Sequence, residues 1–263
     1  MPELTRPTVT LHYEDTQDGD QAIVFLHGWC DGSPSWAATL EDFKSEYRCI
    51  APDMRGHNRS GQPRDFCYMA EALTNDVVAL CESLGVTRPI VVGHSYGGML
   101  AAIVADRFPG FARAIVVEDQ PLDFRPFAAQ MRSLEPVIRG QESHMAFRNQ
   151  LLGSMMTELM PADSKAMLES LKHSTPPEVG MALWAALFEF SGSEMEAFGD
   201  RLMAALAQQP SALIDAQETE GYYATVRAAA PDIQISTLGG GHWVHLERPI
   251  EFRAALRGFL GTL

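Results

Sequence analysis

Pro89-Ile90-Val91-Val92-Gly93-His94-Ser95-Tyr96-Gly97-Gly98-Met99-Leu100-Ala101-Ala102-Ile103-Val104-Ala105 is the stretch on which the reading of this chain turns. An apolar run of strand formers leads into Gly-x-Ser-x-Gly, and a run of good helix formers leaves it. A strand that becomes a helix so abruptly needs small residues around the serine and pushes the serine hydroxyl out above the sheet. The start of the following helix aims unpaired backbone N–H groups at the same spot, where they stabilise negative charge on a substrate oxygen. Ser95 is therefore the candidate nucleophile and Tyr96 N–H a candidate oxyanion donor. A base, an orienting acid and a second donor must come from elsewhere in the chain.

The second donor is expected upstream. Ala22-Ile23-Val24-Phe25-Leu26 is a continuous apolar run of the kind found in strands buried on both faces, and it ends in His27-Gly28-Trp29-Cys30. A His-Gly-x loop at such a strand end offers the next backbone N–H, here that of Trp29, and His27 is counted with it among the oxyanion and substrate-binding candidates. The Trp29 side chain is read either as a core aromatic or as a pocket wall. The acid is sought after the strand Arg113-Ala114-Ile115-Val116-Val117, at Glu118-Asp119. Adjacent strand residues face opposite ways, so only one of the two can reach the site. Asp119 is the expected acid and Glu118 its rival. The base is expected in Leu238-Gly239-Gly240-Gly241-His242-Trp243-Val244-His245, where glycines let a loop carry an imidazole over the serine. His242 is the expected base, and His245, nearer the last helix, is expected to be structural.

Composition sets the frame. The chain has 263 residues, 46% of them hydrophobic, enough for one sizeable α/β core with an insertion. The expected division is a core of residues 1–123 and 210–263 with a helical cap over 124–209. A net charge of -14 argues against nucleic acid and anionic membrane surfaces as partners. Cys30, Cys49, Cys67 and Cys81 form no CxxC pair and no metal-ligand spacing, so free thiols and no metal are expected. With no apolar signal core at the N-terminus, a cytoplasmic protein is expected. Thr8 to Tyr13 alternates as a half-buried strand that places His12 on the solvated face. Asp53, Arg55 and His57 are expected to fix a loop, with Asp53 and Arg55 satisfying each other. Within the Met- and Leu-rich insertion, Trp184 and Phe188 are expected to roof an apolar pocket.

The order serine, acid, histidine, with the His27-Gly28 loop, the 52–60 loop, the elbow and the His242 loop, resembles the α/β-hydrolase superfamily over nearly the whole chain. That resemblance implies a mostly parallel central sheet with helices on both faces and an inserted cap. In most such hydrolases the acid follows the strand after the cap in a Gly-x-x-Asp pattern. Here that strand leads into Asp215-Ala216-Gln217-Glu218-Thr219-Glu220, which lacks it, although Glu218 or Glu220 can serve.

Phe25 to Cys30, the carboxylate before the cap and Gln217-x-Thr219-Glu220 look similar to the cofactor-free 2,4-dioxygenases of 3-hydroxy-4-oxoquinolines. This narrower resemblance implies that His242, oriented by Asp119, deprotonates a ring hydroxyl of a small aromatic substrate. The anion then reacts directly with O₂ and carbon monoxide is lost. The alternative is a serine hydrolase, an esterase or lactonase using Ser95, His242 and Asp119. The complete Gly93-x-Ser95-x-Gly97, and Asp31-Gly32 where those dioxygenases tend to carry a histidine, depart from the narrower pattern. Neither activity implies a cofactor.

Overall fold

The computed structural model describes residues 2–219 and 221–263. In chain order the first half contains β1 (Glu3–Thr5), β2 (Thr10–Asp15), β3 (Ala22–Leu26), α1 (Ala37–Phe43), β4 (Arg48–Pro52), α2 (Ala70–Ser83), β5 (Ile90–His94), α3 (Tyr96–Arg107) and β6 (Ala114–Glu118). The helices α4 (Arg125–Ser133), α5 (Glu135–Arg139), α6 (Gln141–Ser154), α7 (Ala162–Ser174), α8 (Pro177–Ala182), α9 (Ala185–Glu189) and α10 (Gly192–Leu206) follow without an intervening strand. The chain then returns through β7 (Ser211–Asp215), α11 (Tyr222–Ala229), β8 (Gln234–Thr237), α12 (Val244–Glu247) and α13 (Pro249–Leu260).

The strands form one sheet in the order β1-β2-β4-β3-β5-β6-β7-β8. Pairing is antiparallel at β1/β2 and β2/β4 and parallel from β4 onward. Every residue of β3, β5, β6 and β7 is buried, which is why these strands read as continuous apolar runs rather than alternating ones. Alternate residues feed two cores. Ala114 and Val116 of β6 join Phe25, Trp36 and Phe252 on one face, while Ile115 and Val117 join α3 and the inserted helices on the other. Parallel strands bring their carboxyl ends to one edge of the sheet, so Leu26, His94, Glu118 and Asp215 end side by side.

The elbow is as sharp as its residues imply. Ser95 holds φ +52° and ψ -123°, a backbone conformation that L-residues rarely adopt and that functional turns retain. A Cβ on Gly93 would collide with the carbonyl of Gly97, and one on Gly97 with the carbonyls of Leu26 and His27. Both glycines of the motif are therefore required by contact.

Three local expectations change. The N-terminal strand spans Thr10–Asp15 rather than 8–13 and gains an edge partner in β1. His12 is buried, not solvated: its N–H donates to Ser60 Oγ at 2.9 Å, because the loop after β4 folds over that face. Arg55 does not pair with Asp53. It donates to both oxygens of Asp76 in α2 at 2.8 and 2.9 Å, while Asp53 accepts from Ser33 N–H at 2.7 Å and Asn58 Nδ2 at 3.0 Å. The loop remains structural, with different partners. Cys30, Cys49 and Cys81 are buried free thiols, and Cys67 is half-buried. Among the described residues no helix is long and apolar enough to cross a membrane. The insertion's last helix, α10, packs along α3 and against α11, so it joins the helix layer of the core.

Candidate active site

Ser95, His242, Asp119, Trp29, Tyr96 and Trp184 line one cavity of 1160 Å³ between the sheet edge and the inserted helices. Each arrives from a different element. Asp119 is the first residue past the β6 ladder, and a φ of +45° turns it away from the strand direction. Its Oδ2 accepts from His242 Nδ1 at 2.7 Å, and its Oδ1 accepts from Ala216 N–H, just past β7, at 2.9 Å. A carboxylate only accepts, so His242 carries its proton on Nδ1 and leaves Nε2 as the basic nitrogen. The pair is partly open, at 17% exposure for His242 and 19% for Asp119.

The serine side is tightly packed. A Cβ on Gly28 would lie 2.9 Å from His94 Nδ1 and 3.3 Å from Ser95 Cβ, so the loop after β3 passes directly against the elbow. This brings Trp29 to the cavity beside Ser95, while Tyr96 is the first residue of α3, where a backbone N–H has no preceding turn to bond to.

Two expected site residues lie elsewhere. His27 is fully buried and off the cavity: its Nδ1–H donates to Gly28 C=O at 2.8 Å and its Nε2 accepts from Met54 N–H at 2.9 Å. Both nitrogens are used in fixing backbone, and burial lowers its pKa to about 4, so it is a neutral brace. Phe188 also misses the cavity. Trp184 precedes the short helix α9 instead of lying within a continuous one, so the one-turn spacing fails, and the Phe188 ring lies under the Arg139 guanidinium at 4.9 Å. Leu187 and Phe190 line the cavity in its place. The Trp29 side chain walls the pocket, stacked on Trp184 at 4.4 Å with its Nε1–H donating to Gly180 C=O at 3.0 Å.

Glu118 and the later carboxylates also find their places. Glu118 is fully buried against His245, accepting from its N–H at 2.7 Å and from its Nδ1 at 2.8 Å. Thr219 reaches the cavity wall, Glu218 has no place on it, and Glu220 lies outside the described residues.

Beneath the pair lies a buried polar layer that sequence reasoning missed. His94 Nε2–H donates to the His242 carbonyl at 3.0 Å, and its Nδ1 lies 3.9 Å from Asp31 Oδ2. Burial and the neighbouring His242 and His245 hold the His94 pKa well below its ordinary value, so it is a neutral strut. Asp31 also accepts from Trp243 Nε1 at 3.1 Å, and burial raises its pKa to about 6. Asp215, at the end of β7, is pushed up to about 7 by burial and by the nearby Asp119. The motif positions alone gave no signal for these groups, since the partners are remote in sequence.

The insertion does more than roof the cavity. His242 N–H donates to Met155 C=O at 2.9 Å, and Glu247 accepts from Gly241 N–H at 2.7 Å and Thr157 N–H at 3.0 Å, with the Thr157 hydroxyl on its other side. The loop bearing the base is thereby tied to the end of α6 and the turn after it.

A family model described as the alpha/beta hydrolase fold matches residues 21–142. Epoxide hydrolase 1 of Caenorhabditis elegans is 32% identical over 165 residues, 61% of this chain and 39% of that protein. The bifunctional esterase/perhydrolase DCH of Acinetobacter calcoaceticus is 36% identical over 121 residues, 44% of each chain. The matches therefore span well under two thirds of these curated relatives. Among solved structures, the enol-lactonase of Burkholderia xenovorans superposes with a TM-score of 0.75 at 19% identity, covering 99% of this chain and 100% of its own, a likeness of fold. The relatives carry hydrolase names, and the expected resemblance to ring-cleaving dioxygenases gains no support from them.

Proposed function

This chain is an α/β-hydrolase by fold, and from that premise we propose that it is a serine hydrolase acting on carboxylic esters or lactones. The observation that carries the proposal is the His242–Asp119 pair at 2.7 Å, opening on the cavity that also holds the strained elbow serine. In this reading Ser95 Oγ attacks the substrate carbonyl while His242 Nε2 takes its proton. Asp119 stabilises the imidazolium and holds its tautomer. The backbone N–H groups of Trp29 and Tyr96 receive the oxyanion, each donor being worth about 3 kcal/mol in such sites. His242 then protonates the leaving alkoxide, and water, activated by the same imidazole, frees the acyl group and regenerates Ser95.

An epoxide is the less suited substrate class. Attack of a serine hydroxyl on an epoxide carbon would leave a stable ether, which water activated by His242 cannot cleave as it cleaves an acyl ester.

A second reading is favoured by one specific feature, the acid that follows β6 rather than β7, which the cofactor-free dioxygenases share. There His242 deprotonates the hydroxyl of a 3-hydroxy-4-quinolone, the anion takes up O₂ and Ser95 only positions the ring. The test is Ser95→Ala with two assays. The hydrolase reading predicts that p-nitrophenyl butyrate turnover falls at least 10³-fold and that quinolone-dependent oxygen uptake is absent. Oxygen uptake that survives Ser95→Ala, in an enzyme inert toward esters, would replace the first reading with the second.

A further inference from the structure

The cavity is larger than the chemistry at Ser95 requires, and its shape follows one helix. Tyr96, Met99, Ile103 and Arg107 all line it, spaced three, four and four residues apart on α3. That spacing keeps them on one helical face, and at about 1.5 Å per residue the face runs about 16 Å from the elbow to the end of the helix. The facing wall comes from the insertion, where Phe124, Phe127, Leu187 and Phe198 present apolar surface.

Charged groups border the cavity where it meets solvent. Arg107, Glu71, Glu194 and Arg201 are exposed and rim the opening. Three of them are already engaged, Arg107 with the Thr74 hydroxyl at 3.2 Å, Arg201 with Asp106 at 2.9 Å and Glu194 with the Ser191 N–H at 2.8 Å. The space between serine and rim is therefore a hydrocarbon-lined trough with a wet exit. Its 1160 Å³ exceeds the roughly 300–1,000 Å³ of ordinary small-molecule pockets. An acetyl group would leave most of that apolar wall in contact with water.

Resting on the hydrolase reading, we infer that the substrate is an ester or lactone bearing a long hydrocarbon tail that lies along α3, from Ser95 toward Arg107. A zigzag of about a dozen carbons, with bonds of about 1.5 Å, matches the length of the trough. Each methylene buried there favours binding by about fourfold when fully removed from water.

The inference is tested with p-nitrophenyl acetate, butyrate, octanoate and dodecanoate. kcat/KM is expected to rise at least tenfold from acetate to octanoate. Ile103→Trp fills the trough from the core side and Leu187→Trp from the insertion side. Each is expected to lower the octanoate-to-acetate ratio at least fivefold. A flat or falling series from an enzyme that needs Ser95 overturns the tail and leaves the hydrolase intact. Absence of any ester turnover overturns the hydrolase reading instead. In that event titration calorimetry with 1-decanol and 1-butanol reads the trough directly. At least tenfold tighter binding of decanol, reduced by Leu187→Trp, sustains the tail, and equal binding of the two alcohols rejects it.

Discussion

Two imidazole–carboxylate pairs are built from histidines three residues apart near the C-terminus and from adjacent carboxylates at the end of β6. His242 donates Nδ1–H to Asp119 at 2.7 Å, and His245 donates Nδ1–H to Glu118 at 2.8 Å. By hydrogen-bond geometry they are twins. They differ in what remains of each ring. His242 and Asp119 border the cavity, whereas His245 and Glu118 are fully buried, with His245 stacked on Trp36 at 4.1 Å between ring centroids. Strand parity produces the difference. Glu118 continues the side of β6 that carries Ala114 and Val116 into the core with Trp36 and Phe252, while Asp119 has left the ladder at positive φ. A carboxylate beside a histidine thus does not by itself make a base; access of the second nitrogen to a substrate does.

Deleting each imidazole in turn separates the two pairs. His242→Ala is expected to lower kcat/KM about 10⁴-fold with a melting temperature within a few degrees of wild type. His245→Ala strands a buried carboxylate and is expected to cost about 3–5 kcal/mol of stability, read from urea unfolding. If His245→Ala folds normally and loses turnover, the roles of the two pairs are reversed. Next in size is Asp119→Asn, which keeps the shape but can leave the imidazole in the wrong tautomer. A loss of about 10³-fold is expected, against a loss of stability rather than of chemistry for Glu118→Gln.

Asp215 sharpens the contrast in another way, because it crowds the open pair. Its pKa is raised from 3.8 to about 7, by burial first and Asp119 second. The folded protein therefore keeps this proton while the unfolded chain loses it, so stability falls as pH rises from about 4 to about 7 and stays reduced above that. Asp215→Asn is expected to remove that part of the decline, a gain at pH 8 of up to about 4 kcal/mol at about 1.4 kcal/mol per pK unit. Urea midpoints at pH 4.5 and pH 8 measure it. An unchanged pH slope would mean that Asp215 is ionised throughout.

The legibility of the site follows the range of the forces that build it. Gly93 is required by a contact with Gly97 only four residues on, so the elbow is readable from the chain alone, whereas the contact that requires Gly97, with Leu26 and His27, comes from a remote strand end. The continuous apolar runs of β3, β5, β6 and β7 announced strands buried on both faces. Asp119 over Glu118 was readable as a parity argument but open until the end of the β6 ladder was known. His27 and Phe188 misled for opposite reasons. A histidine beside a functional loop has both nitrogens taken up by backbone groups of Gly28 and Met54, and a one-turn aromatic spacing is interrupted at the start of α9. Asp31, His94 and Asp215 were invisible because their partners are contributed by strands and loops distant in sequence.

The smallest effect tests how the open pair is held. Glu247 is buried and joins Gly241, next to the base, to Thr157 in the insertion, while the His242 N–H is bonded to Met155 C=O. No counterpart of this tether is needed by His245, whose own N–H is already fixed by Glu118. Glu247 touches neither the imidazole ring nor the cavity, so its influence on turnover must pass through the loop. Glu247→Ala is expected to lower kcat about tenfold while changing KM less than twofold, because a misplaced base slows proton transfer without altering the trough that binds the tail. Glu247→Gln, which can still accept from one N–H, should recover part of the loss. A fall in stability with kcat unchanged would make the tether a fold contact alone, and the base would then be positioned by Asp119 and the His94 strut without help from the insertion.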